Sequence, residues 1–318
     1  MHILILVHFN AARGGLHENV FSTVKYCLKK NNEVTVVCRE GEFANRLSNL
    51  GVQVITTDYG DIEQTANKVL NAKRNNYDII HTHPGPSRSV ATLLVDELKI
   101  PFFMTFHGMW RDSVGRYADK LNAIFPVSEG VKEYIRKNIE DHVEKMLIMP
   151  NGVNKRLFKP KRLFKKNNKD SLIISLVTRL DKDKDFIFQI FYKALKFTFE
   201  NYPKKIKWSI VGDGTESGKI KEKCQTITNG GKQEVQFKGW KTGKQLRDCY
   251  LESDIVIAPG RCALEAMACG KPVIAIGSKM YNGLVTEENW MKGVFTNFGG
   301  FGNKMDDYIE GSIENDLK

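Results

Sequence analysis

Residues 253–275, SDIVIAPGRCALEAMACGKPVIA, hold a complete strand–helix–strand unit. DIVIA (254–258) is a short apolar, β-branched run that ends at Pro259-Gly260. A helical pattern follows from about Arg261 to Cys269, and PVIAI (272–276) is a second short strand. Glu265 lies one turn into the helix, four residues from Arg261, so both share a face. Free N–H groups of Arg261 and Cys262 in the first turn can meet a phosphate oxygen. A carboxylate at position 265 can then accept from ribose hydroxyls. The plainer reading of Arg261 and Glu265 is a surface pair contributing a few tenths of a kcal/mol.

The same alternation extends in both directions. Upstream in the second half, SLIISLV (171–177), KIKWSIV (205–211) and VQFKG (235–239) read as strands. Lys184–Phe199, Gly218–Thr226 and Lys244–Glu252 read as helices. PNGVNKRLFKPKRLFKKNNKD (150–170), with its prolines and lysines, reads as a linker. In the first half, the strand candidates are HILILV (2–7), EVTVVC (33–38), VQVIT (52–56), DIIHT (78–82), FFMTF (102–106), AIFPV (123–127) and KMLIM (145–149). Helical patterns lie between them, for example Leu16–Lys30 and Glu129–Lys137. Strands alternating with helices predict parallel sheets covered on both faces. The chain is therefore expected to be α/β, with two Rossmann-like domains, 1–154 and 155–318, whose sheets face each other across a cleft. Ligands in such sheets bind beyond the carboxyl ends of the strands.

Candidate binding residues cluster at those strand ends. Gly14 and Gly15 follow the first strand and precede a helix, where backbone N–H groups can approach a phosphate; a plain tight turn explains them equally well. Arg179 and Lys184, spaced R-L-x-x-x-K after a strand, can neutralise a leaving diphosphate. The charges of DKDKD (181–185) read as a solvated helix start. His107, at a strand end before Gly108, can donate to a sugar or phosphate oxygen, although a lone histidine is as readily structural. His81 and His83 are read as facing opposite sides of their strand, which makes them a poor metal-ligating pair. P-loop and nucleophile-elbow motifs are missing from the sequence, and no D-x-D metal motif of the usual kind stands at a strand end.

Composition narrows the class. The 318 residues are 42% hydrophobic and 27% charged, ordinary for a globular chain of about two domains. No apolar run nears the ~20 residues of a spanning helix. The start of the sequence reads as a strand rather than a signal peptide, so a cytoplasmic location is expected. The six cysteines form no C-x-x-C pair, which argues against a disulfide framework or zinc site. A net charge of +11 suits anionic partners: diphosphates, or peripheral contact with an anionic membrane. Zinc-finger spacing and RNA-binding signatures are missing, so nucleic acid is not the expected partner.

In order along the chain, the segments resemble the retaining group 1 glycosyltransferases of the GT-B architecture, of the family-four type. ARGGLHENV resembles that family's N-terminal glycine loop. DIIHTH and PFFMTFHG resemble its H-x-H and T-x-H-G segments, and FPVSEGVKEYI its serine-plus-helix element. PNGVNKRLFKP resembles P-N-G-V-D-x-x-x-F-x-P, with Asn154 in place of aspartate. VTRLDKDKDF, WSIVGDGTE, VQFKG and LEAMACGKPVIA resemble later segments of the family.

The resemblance implies a nucleotide-diphosphate sugar, expected to be a UDP-sugar, held mainly by the C-terminal domain. The acceptor would lie on the N-terminal domain. By position, Arg179 and Lys184 would hold the diphosphate, Glu265 the ribose, and backbone at Lys238, Gly239 and Trp240 the base. Gly14, Gly15, Gly260, Arg261 and Cys262 would line the phosphates, with His107 at the donor sugar. His107, Arg179 and Lys184 would be the catalytic groups, and no metal or other cofactor is implied.

One departure stands out. The family's first glutamate, eight positions before Glu265, falls at Ile257 inside a strand, and the following loop is reduced to Pro259-Gly260. The segment GSKMYNGLVTEENW lacks the usual G-G-x-x-E. Two other readings therefore stay open: a nucleotide-sugar 2-epimerase on the same fold, and a non-catalytic binding module. The acceptor, whether sugar, lipid-linked, protein or small molecule, and a role in cell-envelope or other bacterial glycoconjugate synthesis are expectations from the family alone.

Overall fold

The computed structural model describes residues 1–11, 14–109, 112–160, 171–202, 206–228, 234–300 and 308–318. The chain divides into two compact units, Met1–Asn151 and Gly152–Lys318.

The first unit runs β1 (His2–Leu6), α1 (Gly15–Lys29), β2 (Glu33–Cys38), α2 (Glu42–Ser48), β3 (Gln53–Thr56), α3 (Ile62–Leu70), β4 (Ile79–Thr82), α4 (Pro86–Leu98), β5 (Phe102–Phe106), β6 (Ala123–Pro126) and α5 (Glu129–Arg136). Its parallel sheet has the order β3-β2-β1-β4-β5-β6. This is the doubly wound Rossmann order, with the switch between β1 and β4. The sequence of β1 shows why the sheet is covered on both faces. Leu4 and Leu6 enter one buried cluster with residues of α4 and β5, while Ile3, Ile5 and Val7 enter another with α1 and α2. Alternate residues point to opposite faces, so an unbroken apolar run serves two cores. Truncating fully buried Leu6 to alanine would cost about 2–5 kcal/mol. Asp61 starts α3 by accepting from Gln64 N–H at 2.8 Å, an N-cap.

The second unit runs β7 (Leu172–Val177), α6 (Asp185–Asn201), β8 (Ile206–Val211), α7 (Ser217–Thr228), β9 (Val235–Gly239), α8 (Gly243–Glu252), β10 (Ile255–Ala258), α9 (Gly260–Ala268), β11 (Val273–Ile276), β12 (Tyr281–Leu284), α10 (Trp290–Phe295) and α11 (Ser312–Asp316). The strand order β12-β11-β10-β7-β8-β9 repeats that of the first unit, with the switch between β7 and β10. Again the strands feed two cores: Ile257, Ile274 and Ile276 face one, and Val256, Ala258, Val273 and Ala275 the other.

Three expectations need correction. KMLIM (145–149) does not become a strand; it makes a single parallel bridge from Met146 to Ile124. Leu147 N–H and Met149 N–H do reach Ile124 and Pro126 carbonyls, both at 2.9 Å. The return rung needs an N–H at position 126, which proline lacks. Conversely, β12 was not expected. It pairs antiparallel with β11 across a turn at Gly277–Met280, and its run YNGL is too short and mixed to give a period. Finally, His81 and His83 do not face opposite ways. Residues two apart share a face of a strand, and their ring centroids lie 5.3 Å apart. Residues 161–170 of the lysine-rich expected linker lie outside the described residues.

Candidate functional site

In the second unit the loops after β7 and β8 are zipped together by backbone bonds. Thr178 N–H donates to Val211 carbonyl at 3.2 Å, Leu180 N–H to Asp213 carbonyl at 2.9 Å, and Glu216 N–H to Leu180 carbonyl at 2.8 Å. The G-D-G of residues 212–214 makes this approach feasible. Gly212 has φ +144°, and a Cβ there would lie 1.8 Å from the Thr178 carbonyl oxygen. Its N–H donates to the Gly239 carbonyl at 3.0 Å, which ties the end of β9 to the same platform.

Arg179 and Lys184 stand on this platform. Arg179 Nη1 meets Asp181 Oδ2 at 2.6 Å, and Nη2 meets Asp183 Oδ2 at 3.0 Å. Lys184 Nζ lies 2.7 Å from the same Asp183 oxygen and donates to Ser278 Oγ, also at 2.7 Å. Thus the acidic DKDKD residues are not merely a solvated helix start: two of them hold the cations. Asp181 also accepts from Thr215 N–H at 3.0 Å, which anchors it to the loop after β8. Sequence reasoning missed Asp181, Asp183 and Ser278. Their only signal was alternation of charge and a small polar residue after a strand.

Across the switch point, β10 ends at Ala258 and α9 begins at Gly260, with Pro259 between them. Gly260 N–H donates to the Phe298 carbonyl at 2.9 Å. Glu265 is buried, at 5% exposure. Its Oε1 accepts from Arg261 Nε at 2.8 Å and its Oε2 from the Tyr250 hydroxyl at 3.4 Å. The pair with Arg261 is therefore an enclosed one, not the solvated surface pair of the plainer reading. Ile257 is fully buried in mid-strand. Lys238 Nζ pairs with Glu252 at 2.7 Å, and Trp240 is 36% exposed just beyond β9. Cys262 is the sole cysteine not fully buried.

In the first unit, α1 starts at Gly15 with Gly14 at its N-cap, and a Cβ at Gly15 would meet nothing within 4 Å among the described residues. At the switch point between β1 and β4, the His8 ring lies against Gly85. A Cβ at Gly85, where φ is +100°, would lie 2.1 Å from the His8 ring. Gly85 N–H also donates to Asp112 Oδ2 at 2.8 Å, and Asp112 pairs with Arg88 at 3.3 Å. These contacts pin the loop after β5 to the start of α4.

His107, at the end of β5, belongs to a row of imidazoles. Its Nε2 is 3.2 Å from His83 Nδ1, and His81 Nε2 is 2.8 Å from Thr105 Oγ1. His83 Nε2 is buried with no hydrogen-bond partner among the described residues. Burial lowers the His81 pKa to about 4 and the His107 pKa to about 3, the latter helped by neighbouring histidines. Burial likewise holds His83 well below its ordinary value. These side chains are neutral at neutral pH. His107 can therefore offer a hydrogen bond to a ligand, but not a positive charge.

Two family models tile the chain. Residues 13–157 match Glycosyltransferase Family 4, and residues 158–314 match Glycosyl transferases group 1. The chain belongs to the group 1 glycosyltransferase family. Its fold is GT-B, built from two Rossmann-like units. An uncharacterized glycosyltransferase of Methanocaldococcus jannaschii is 26% identical over 67% of this chain and 62% of its own length. The alpha-monoglucosyldiacylglycerol synthase of Streptococcus pneumoniae is 27% identical over 68% of this chain and 56% of its own. The chain thus spans less than two thirds of either curated relative. Among solved structures, Anabaena HepE in complex with UDP and glucose superposes with a TM-score of 0.66. Its sequence is 20% identical, and the match covers 85% of this chain and 79% of that one.

Within this group 1 chain, a cavity of about 660 Å³ lies elsewhere in the second unit, lined by Lys159, Ile173, Arg247, Leu251 and Glu252. Ile173 is near the amino end of β7, whereas Arg179 follows its carboxyl end, so this cavity is not the strand-end site. Among the described residues, no helix is long and apolar enough to cross a membrane.

Proposed function

We propose that the protein transfers a sugar from a nucleoside-diphosphate sugar, with UDP as the favoured nucleotide, to a separate acceptor with retention of anomeric configuration. The observation that carries the reading is the meeting of Arg179 and Lys184 on one anionic oxygen at the carboxyl end of β7. Two cations 3 Å from a common oxygen, at a topological switch point, form a ready clamp for a diphosphate. The solved structure of HepE with UDP and glucose supports UDP as the nucleotide.

Donor breakdown moves negative charge onto the departing diphosphate. Arg179, Lys184 and the start of α9 would stabilise that charge, so the contribution of the protein is electrostatic and positional. Glu265 would share its carboxylate between Arg261 and the ribose, and backbone beside Gly239 and Trp240 would meet the base. Gly14, Gly15 and neutral His107 would be hydrogen-bonding groups of the N-terminal unit, which would also carry the acceptor. The clamp is made of side-chain cations, so transfer would need no divalent ion. Ile257 leaves the donor sugar without the family's first carboxylate, and the sugar hydroxyls would need other partners.

Calorimetric titration with UDP and GDP tests the reading. UDP should bind the wild-type protein, and Arg179→Ala should lower transfer from a UDP-sugar by at least ~100-fold. Equal UDP affinity and equal turnover in the two proteins would move the donor site elsewhere.

A further inference from the structure

Of the loop's acidic residues, Asp183 alone has its bonds among the described residues solely to the two clamp cations. Asp181 is fixed by Thr215 and by Arg179. Asp185 opens α6 and accepts from Gln189 at 2.7 Å. Asp183, by contrast, places one oxygen 3.0 Å from Arg179 and 2.7 Å from Lys184. Its side chain is 53% exposed, while Lys184 is 17% and Arg179 30% exposed. The carboxylate therefore covers the cations from the solvent side.

From this geometry we infer that Asp183 is the resident anion of the donor site. It occupies the position between Arg179 and Lys184 that a donor phosphate takes, and it sets donor affinity because it must be displaced. The inference rests on the diphosphate reading of this site. Electrostatics gives the sign. Two cations with no anion between them repel each other, and a carboxylate relieves that repulsion in the empty protein. A diphosphate brings more charge and several acceptor oxygens, so it can replace one carboxylate oxygen at both cations. The exchange returns less free energy than binding to bare cations would. Once displaced, the carboxylate remains on the same loop and repels the phosphates. An exposed carboxylate is cheap to displace, since such pairs are individually weak. This suits a site that must release a diphosphate product after every turnover.

Asp183→Asn separates this role from a structural one. Asparagine keeps the shape and one carbonyl acceptor but removes the charge. UDP and inorganic pyrophosphate are titrated into wild type, Asp183→Asn and Glu222→Gln. Glu222→Gln removes one exposed carboxylate from α7 and controls for net charge. The expected result is three- to tenfold tighter binding of both ligands to Asp183→Asn, with Glu222→Gln within twofold of wild type. Added salt should narrow the difference. Unchanged or weaker pyrophosphate binding in Asp183→Asn overturns the inference, whatever UDP does. Should pyrophosphate tighten as expected while UDP binds neither protein, the resident anion stands and the nucleotide reading falls. If UDP binds wild type and Asp183→Asn binds it no more tightly, the nucleotide reading stands and the inference falls.

Discussion

Lowering the pH from 7 to 5 should weaken the N-terminal unit, because its imidazoles are buried neutral. Histidine in the unfolded chain takes up a proton near pH 6.5, whereas folded His81 does so near 4 and folded His107 near 3. Between those values the unfolded chain binds more protons, so stability falls as pH falls. At pH 5, each imidazole that stays neutral in the fold costs about 2 kcal/mol relative to neutral pH. His81 and His107 together can remove about 4 kcal/mol, a large part of an ordinary domain's ~5–15 kcal/mol, and His83 shifts in the same direction because it too is buried. His2 and His8 are lowered too, which adds to the trend. The discriminating variant is His83→Phe, which keeps a ring in a site where one nitrogen already lacks a partner. It should shrink the loss of stability between pH 7 and pH 5. Amide exchange in β1 and β4, corrected for its intrinsic pH dependence, reads the opening of this unit alone. Imidazole NMR shifts read the titrations directly. Ordinary titration of all three near pH 6.5, or a His83→Phe profile superimposable on wild type, would refute the burial account.

Other outcomes follow from the second unit. Glu265→Ala should weaken UDP binding by roughly 10- to 150-fold through loss of a charged acceptor. It should also cost about 3 kcal/mol of stability, because Arg261 is left enclosed without its partner. Glu265→Gln should lose less of both. Calorimetry and urea unfolding measure the two effects, and wild-type UDP affinity in Glu265→Ala would remove the ribose assignment. Transfer should survive EDTA, since the proposed clamp uses Arg179 and Lys184; complete loss on chelation with recovery on adding magnesium or manganese would contradict that.

Most of the fold was legible because each strand carries its own evidence. An apolar run as complete as β1 can be little else, and its two-faced burial follows from the side-chain period of a strand. Legibility failed where a single atom or a distant partner decides. At 145–149 the missing N–H of Pro126 ends the ladder, although the run itself looks like a strand. At β12 the pairing comes from β11, not from any pattern in YNGL. The site shows the same division. Strand-end positions pointed to Arg179, Lys184 and Glu265, but not to their surroundings. The burial of Glu265 under Arg261 and Tyr250 depends on α8 packing against α9. The engagement of Asp183 depends on a loop geometry that charge alternation does not encode. The shared face of His81 and His83 was, in contrast, available from the strand period alone.

The repeated strand order has a consequence for how the chain is made. Each sheet is completed by strands from one continuous half, and neither sheet borrows a strand from the other. When Asn151 has been added, every strand of the first sheet is already present, and β7 begins only at Leu172. At ~5–20 residues per second, that gap of about 20 residues gives the first unit roughly 1–4 s to begin closing its two cores before β7 is made. The apolar faces of β1 would then be hidden before β7 emerges with a competing run of the same kind. Duplication of one topology in a single chain invites mispairing between halves, and vectorial synthesis separates the look-alike strands in time.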